Sequence, residues 1–264
     1  MSAWAVKKTL VAIGVGLPIL ASGTLLTAQG GGRGERIADA KTGGVRVLAT
    51  AAIRIPLEAI RAEASNAIGH PLVIEYGSAR GNLKDSVLAG NAFEVALLLP
   101  DVDEQLLKAS KIKSHGVVIA TTDVAIGLRG DATPDLSTPD TLKTAMLKAT
   151  SLRWSDTGAA LLTVNKILDT MRIRDAVKAK HDMSAPAPSL GPGEYEINIY
   201  PLSEIMANTS LRNMGPVIRE LQAPAVVTAT ISANTSNAAA AQALIKFLQG
   251  PAIGPALEAN GFKR

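Results

Sequence analysis

The 264-residue chain contains no cysteine. Disulfide frameworks, thiol nucleophiles, Cys-ligated zinc and iron–sulfur clusters are therefore excluded together. Aromatic residues are almost as scarce, at three Phe, three Tyr and two Trp, which leaves too little to build a stacking platform for bases or sugar rings. The three histidines, His70, His115 and His181, are far apart and lack ligand spacing, so no metal site is expected. A formal charge of +4 is too small to argue for nucleic acid or an acidic membrane surface. What the chain has instead is aliphatic mass: 47% of its residues are hydrophobic, chiefly Ala, Val, Ile and Leu. That supports one generous domain or two small lobes.

The first 28 residues differ in kind from the rest. Lys7 and Lys8 precede a nearly uncharged run, Thr9 to Ala28, interrupted by Gly14, Gly16 and Pro18 and bearing small residues at Ala21, Ser22 and Gly23. A basic start, an apolar middle and a small-residue zone form a secretory signal peptide. The run also approaches the ~20 residues that span a bilayer, so an uncleaved anchor is the alternative. The glycines, the proline and the polar tail over 29–43 favour cleavage and a periplasmic destination. Removal of Lys7 and Lys8 would lower the charge to +2.

From residue 44 onward, short β-branched runs alternate with amphipathic stretches. Strands are expected at Val45–Ala49, Leu72–Tyr76 and Phe93–Leu99, and helices at Pro56–Ala67, Leu83–Ala89 and Val102–Ser110. This alternation predicts a parallel sheet with helices on both faces and ligands at the carboxyl ends of its strands. Val117–Leu128 holds two apolar runs separated by Thr121, Thr122 and Asp123, long enough to cross between lobes. A second alternation then begins. Ser137 or Thr138 caps a helix with Pro139 at its first position. Ser151–Trp154 is a strand leading into a helix that ends at Met171, and the Pro- and Gly-rich stretch 184–193 is a loop or hinge. Glu196–Tyr200 and Ala225–Ala233 are strands; Leu202–Ala207, Asn237–Gln249 and Pro251–Asn260 are helices. The expected fold class is α/β, with two lobes around a ligand cleft, the second lobe spanning roughly 125–225 and the chain returning to the first thereafter.

Particular residues carry a family resemblance. They are Val45 to Ala52; the loop Gly77-Ser78-Ala79-Arg80-Gly81-Asn82-Leu83; Ala89-Gly90; Phe93 to Ala96; Gly193 to Ile197; Leu202-Ser203-Glu204-Ile205; Ala243 to Leu248; and Gly261-Phe262. In this order and spacing, from about residue 45 to the end, they resemble periplasmic molybdate-type solute-binding proteins, which have the type II periplasmic binding-protein fold. The Ser203–Ile205 segment, Gly215-Pro216 and Glu220-Leu221-Gln222 resemble a divergent branch that includes aconitate isomerase. Molybdate-type proteins hold a tetrahedral oxyanion with hydroxyls from the first two loops. Here the first position falls at Ala52, with Thr50 close by, and the second falls near Arg80, with Ser78 displaced toward the loop start. An arginine fork suits a carboxylate, whereas compact oxyanion sites use neutral donors.

The resemblance thus implies a periplasmic, monomeric protein that binds a small anion, a di- or tricarboxylate, and delivers it to an ABC-type membrane component. The alternatives are a cofactor-independent isomerase shifting a proton between trans- and cis-aconitate, and plain molybdate binding. The candidate ligand-binding residues are Thr50, Ala52, Arg54, Ser78, Arg80, Asn82, Ser155, Thr157, Gly158 and Tyr195, with Asp156 as candidate general base. Each has an ordinary reading too. Ser78 and Asn82 suit a turn and cap ahead of a helix, Asp156 suits a helix cap, Tyr195 and Tyr200 suit packing against a strand, and Arg54 and Arg80 suit a solvated surface. Ser155 to Gly158 follow a strand and open a helix, where free N–H groups attract an anion.

Overall fold

A computed structural model describes residues 43–264. The expected signal peptide over 1–28 and all of the expected tail but its last residue lie outside the described residues. The strands are β1 (Val45–Thr50), β2 (Leu72–Gly77), β3 (Val95–Leu98), β4 (Val117–Thr122), β5 (Val124–Gly130), β6 (Ser151–Arg153), β7 (Tyr195–Pro201), β8 (Arg212–Pro216), β9 (Ala225–Ile231) and β10 (Phe262–Lys263). The helices are α1 (Arg54–Ala59), α2 (Arg61–Ile68), α3 (Lys84–Leu88), α4 (Pro100–Lys108), α5 (Pro139–Lys148), α6 (Leu161–Met171), α7 (Arg174–Val177), α8 (Leu202–Ala207), α9 (Ala238–Gln249) and α10 (Gly254–Glu258).

They form two lobes. The first holds a six-stranded sheet ordered β10-β4-β9-β3-β1-β2, and the second a four-stranded sheet ordered β6-β7-β5-β8. Each lobe buries its own apolar core. Val47, Leu97, Leu98, Leu106 and Leu244 belong to the first, and Leu128, Met146, Leu152, Ile167 and Ile197 to the second. The near-continuous apolar run of β3 is buried at every position, as a strand covered on both faces requires.

The all-parallel sheet expected from the alternation is corrected to a mixed one. β1, β2 and β3 are mutually parallel, but β9 lies antiparallel between β3 and β4. The cause is the route of the chain. β9 arrives from the second lobe without a helical crossover, so it enters the sheet from the cleft end and runs away from it. In the second lobe only β6 and β7 are parallel.

Local details follow the residues. The helix expected over Pro56–Ala67 begins at Arg54 and breaks at Ile60, where φ is −106° and ψ is 4°. Thr138 is the cap of α5, its hydroxyl accepting from Thr141 N while Thr138 N donates to Thr141 Oγ1. The long run from Val117 divides at Asp123 into β4 in one sheet and β5 in the other. This crossing is tied on several sides. Asp123 O accepts from Leu202 N at 2.8 Å and its carboxylate meets Lys263 Nζ at 2.8 Å. On the returning segment ahead of β9, the Gln222 amide accepts from Val124 N at 3.1 Å and donates to Val124 O at 2.7 Å and Val217 O at 3.0 Å. Two adjacent crossings held this way make the hinge.

Candidate functional site

The carboxyl ends of β1 and β2 face the segment that follows β6. Between them lies a cavity of about 90 Å³, lined by Thr50, Ala51, Gly77 and Ser78 from the first lobe and by Ser155, Gly158, Ala159, Ala160, Tyr200, Pro201 and Glu204 from the second. Its donors are mostly neutral. Thr50 is buried, and its hydroxyl has no partner among the described residues. Ser155 Oγ accepts only a long bond of 3.4 Å from Thr157 N, leaving its proton available. The N–H groups of Ala159 and Ala160, ahead of the first turn of α6, meet no acceptor among the described residues. A helix start with open amides is a natural anion cradle.

The lobes are clasped beside this cavity. Ser78 Oγ lies 2.6 Å from Thr157 O and 2.7 Å from Thr157 Oγ1, and Arg80 N donates to Thr157 O at 3.1 Å. Gly81 permits this approach, since a Cβ there would lie 2.9 Å from Thr157 Oγ1. The guanidinium of Arg80 is committed as well. Nε and Nη2 grip the two oxygens of Asp101 at 2.7 and 2.9 Å, and Nη1 donates to Gly158 O at 2.6 Å. Farther along, Ser203 Oγ donates to Ala52 O at 2.7 Å.

Of the residues expected from the sequence, Thr50, Ser78, Ser155 and Gly158 come together on the cavity wall. The others have different places. Arg80 and Thr157 form the clasp. Asn82 braces the loop by accepting from Ser78 N at 2.8 Å, and its amide fills the space a Cβ on Gly77 would need. Ala52 is buried with its carbonyl on Ser203. Arg54 lies over the ring of Tyr76, 5.0 Å from its centroid. Tyr195 donates to Ala145 O at 2.9 Å within the second lobe and borders a separate groove formed by 132–135 and α5. Asp156 accepts from Trp154 Nε1 at 3.0 Å, and its two oxygens lie 3.1 and 3.2 Å from His181 Nε2. The His181 ring stacks on Trp154 with centroids 3.7 Å apart. That carboxylate is built into a surface cluster rather than the cavity wall.

Two wall residues carry chemistry that the sequence reading did not assign to the site. Tyr200 closes one side; burial, and next the charge of Glu204, push its phenol up to about 12. Glu204 sits in the first turn of α8 and has no hydrogen-bond or ion-pair partner among the described residues. Burial alone pushes its carboxyl up to about 7. The signal for both was present, since Tyr200 flanks an expected strand and Glu204 falls within the Ser203–Ile205 motif. Neither position could be placed on the cavity wall before α8 was seen packed at the hinge.

Among the described residues there is no group of His, Asp and Glu able to hold a metal ion, and no helix long and apolar enough to cross a membrane.

Comparison with known proteins adds three findings. The profile of a family described as bacterial extracellular solute-binding protein matches residues 45–263. An aconitate isomerase from a Pseudomonas species is 24% identical over 257 residues, covering 94% of this chain and 96% of that protein. Among solved structures, the periplasmic molybdate-binding protein of Azotobacter vinelandii superposes with a TM-score of 0.65 at 16% identity, covering 83% of this chain and 99% of the other. The sulfate-binding protein of Mycobacterium tuberculosis gives 0.65 at 13% identity, covering 83% and 86%. These structural likenesses establish the fold, that of two-lobe periplasmic binding proteins.

Proposed function

From the premise that this chain belongs to the bacterial extracellular solute-binding protein family, we propose that it binds a small carboxylate anion between its lobes in the periplasm and delivers it to an ABC-type membrane transporter. The observation that carries this reading is the interlobe cavity itself. Hydroxyls from both lobes and the open amides ahead of α6 converge on one small space. Such an arrangement can hold an anion only when the lobes are together, which couples binding to closure.

The carboxylate assignment draws support from the resemblance over nearly the full chain to a protein named for aconitate. It does not draw on Arg80, whose fork is taken by Asp101. The test is a thermal-shift screen of the purified protein against molybdate, tungstate, sulfate, phosphate and a panel of di- and tricarboxylates. A ligand that binds only the folded state raises Tm, by about 2.7 kcal/mol of stabilisation at a hundred times Kd. Stabilisation by a carboxylate, lost in Thr50→Val, is the expected result. Stabilisation by molybdate or tungstate alone refutes the carboxylate class.

A second reading is favoured by Glu204. A carboxyl titrating near neutrality inside a ligand cavity suits a proton shift, as isomerisation of aconitate requires. In that reading Glu204 is the base and Tyr200 holds a substrate oxygen. Ultraviolet absorbance follows the conversion of trans- to cis-aconitate directly. Turnover that disappears in Glu204→Gln while aconitate still binds supports it; equal turnover in the variant excludes that role.

A further inference from the structure

The cavity offers a ligand several side chains and amides that can donate and one side chain that, when ionised, can only accept. Thr50, Ser155 and the amides of Ala159 and Ala160 can all donate, as can Tyr200 by giving up its long 3.8 Å bond to Met183 Sδ. Glu204 is different. A first-turn glutamate ordinarily reaches solvent or caps its own helix, but this one lines the cavity with no donor beside it among the described residues. An anion made only of acceptor oxygens would set its lone pairs against that carboxylate. An anion bearing an O–H of its own would donate to it.

We infer that Glu204 makes the site selective for anions that carry a hydroxyl or acid proton alongside their charge, such as 2-hydroxycarboxylates, over fully deprotonated anions of the same size. This rests on the reading of the cavity as an anion site and narrows its ligand class. The cost that Glu204 imposes on an all-acceptor anion is removed either by a ligand proton or by protonation of the carboxylate itself. The first satisfies the carboxylate with a hydrogen bond, leaving the net charge unchanged and taking no proton from solvent; the second takes one up. The Tyr200 phenol stays protonated at neutral pH, its hydroxyl lying 3.8 Å from Met183 Sδ. Discrimination of this kind is large when the site's polar group is left without a partner by the wrong ligand.

The test uses matched pairs of probes on the full protein. Isothermal titration calorimetry at pH 8 compares L-malate with succinate, which lacks the hydroxyl, and hydrogen phosphate with sulfate. Runs in two buffers of different ionisation enthalpy count the protons taken up. The wild type is expected to prefer the proton-bearing member of at least one pair by about tenfold or more, with no net proton uptake for that ligand. Glu204→Gln, matched in shape, is expected to bring the preference within about twofold, chiefly by tightening sulfate or succinate binding. Equal affinities within both pairs in the wild type overturn the inference while leaving the anion site standing. A preference that survives in Glu204→Gln likewise assigns selectivity to other residues. Absence of binding by all four probes overturns the inference together with the anion-site reading. The wild-type ratio and proton count decide the matter even if the variant folds poorly.

Discussion

Glu204→Gln should stabilise the ligand-free protein in alkaline solution and leave it unchanged in acid. The Glu204 carboxyl is pushed from 4.5 to about 7 by burial. The folded protein therefore holds a proton that the unfolded chain has released, and stability falls as pH rises through this window. Below the unfolded value both states are protonated and nothing is lost. Above the folded value the full penalty applies, about 3 kcal/mol for a displacement of this size at 1.36 kcal/mol per pH unit. Glutamine carries no charge to desolvate, so its advantage over glutamate grows between these limits. For a chain of this length about 3 kcal/mol corresponds to a Tm gain of roughly 6 to 12 °C at pH 8, and close to none at pH 4. Differential scanning fluorimetry of the two proteins across pH 4 to 9, without ligand, measures the divergence. Parallel Tm curves would refute the placement of this carboxyl out of water, and with it the second reading and the selectivity inference.

Other residues give separate expectations. Arg80→Ala removes a bidentate ion pair and the donor to Gly158 O; ligand affinity should weaken by about 2 kcal/mol through loss of the closed state, and Arg80→Lys should not restore it because lysine lacks the planar fork. Titration calorimetry of all three proteins tests this, with equal affinities as the contradicting result. Gln222→Ala takes the acceptor from Val124 N–H and the side-chain donor from Val217 O, while Val124 O keeps its bond from Val217 N at 2.8 Å, and should lower stability by about 2 kcal/mol in urea unfolding. Glu196 behaves oppositely to Glu204. Its burial works to raise the pKa, but hydrogen bonds from Arg129, Asn198 and Ser151 and the Arg129 charge prevail and hold it low. It supports stability above its unfolded value, and that support is lost as pH falls, so Glu196→Gln should cost stability at pH 7 and progressively less in acid, as Tm against pH will show. Asp156→Ala removes the acceptor shared by Trp154 and His181 and should lower Tm by a few degrees, an outcome of about 1 kcal/mol.

Much of the architecture was readable along the chain. The apolar run of β3, the cap at Thr138 and the break at Asp123 each follow from local residue choice, and they place two sheets and a crossing between them. The unread elements have physical reasons. β8 is an edge strand with two exposed ends and no fully buried position, so it carries no apolar period. β10 is two residues held by its pairing with β4. The direction of β9 depends on which lobe the chain comes from, which no local pattern encodes.

The site divides in the same way. Thr50 ends β1, while Ser78, Ser155 and Gly158 follow strands in loops, and strand ends converge in this kind of fold. The use of Arg80 was not legible, because Asp101 reaches it only through packing of α4 against the loop. Nor was that of Glu204, since a glutamate in a short helix has an ordinary chemistry until the hinge places α8 over the cavity. Asp156 shows the converse: it lies in a loop that lines the cavity, and the fold turns it toward Trp154 and His181, while Tyr195 begins β7 at the end away from the cavity.

The central claim is that a small anion is held between the lobes in contact with both. A crystal structure of the protein grown with the best stabilising anion from the thermal screen tests this most directly. The account predicts ligand density within hydrogen-bond distance of Thr50 or Ser78 on one side and of Ser155, Tyr200 or the Ala159 and Ala160 amides on the other. Density confined to the groove beside α5 and Tyr195, with the interlobe cavity holding only solvent, would contradict it.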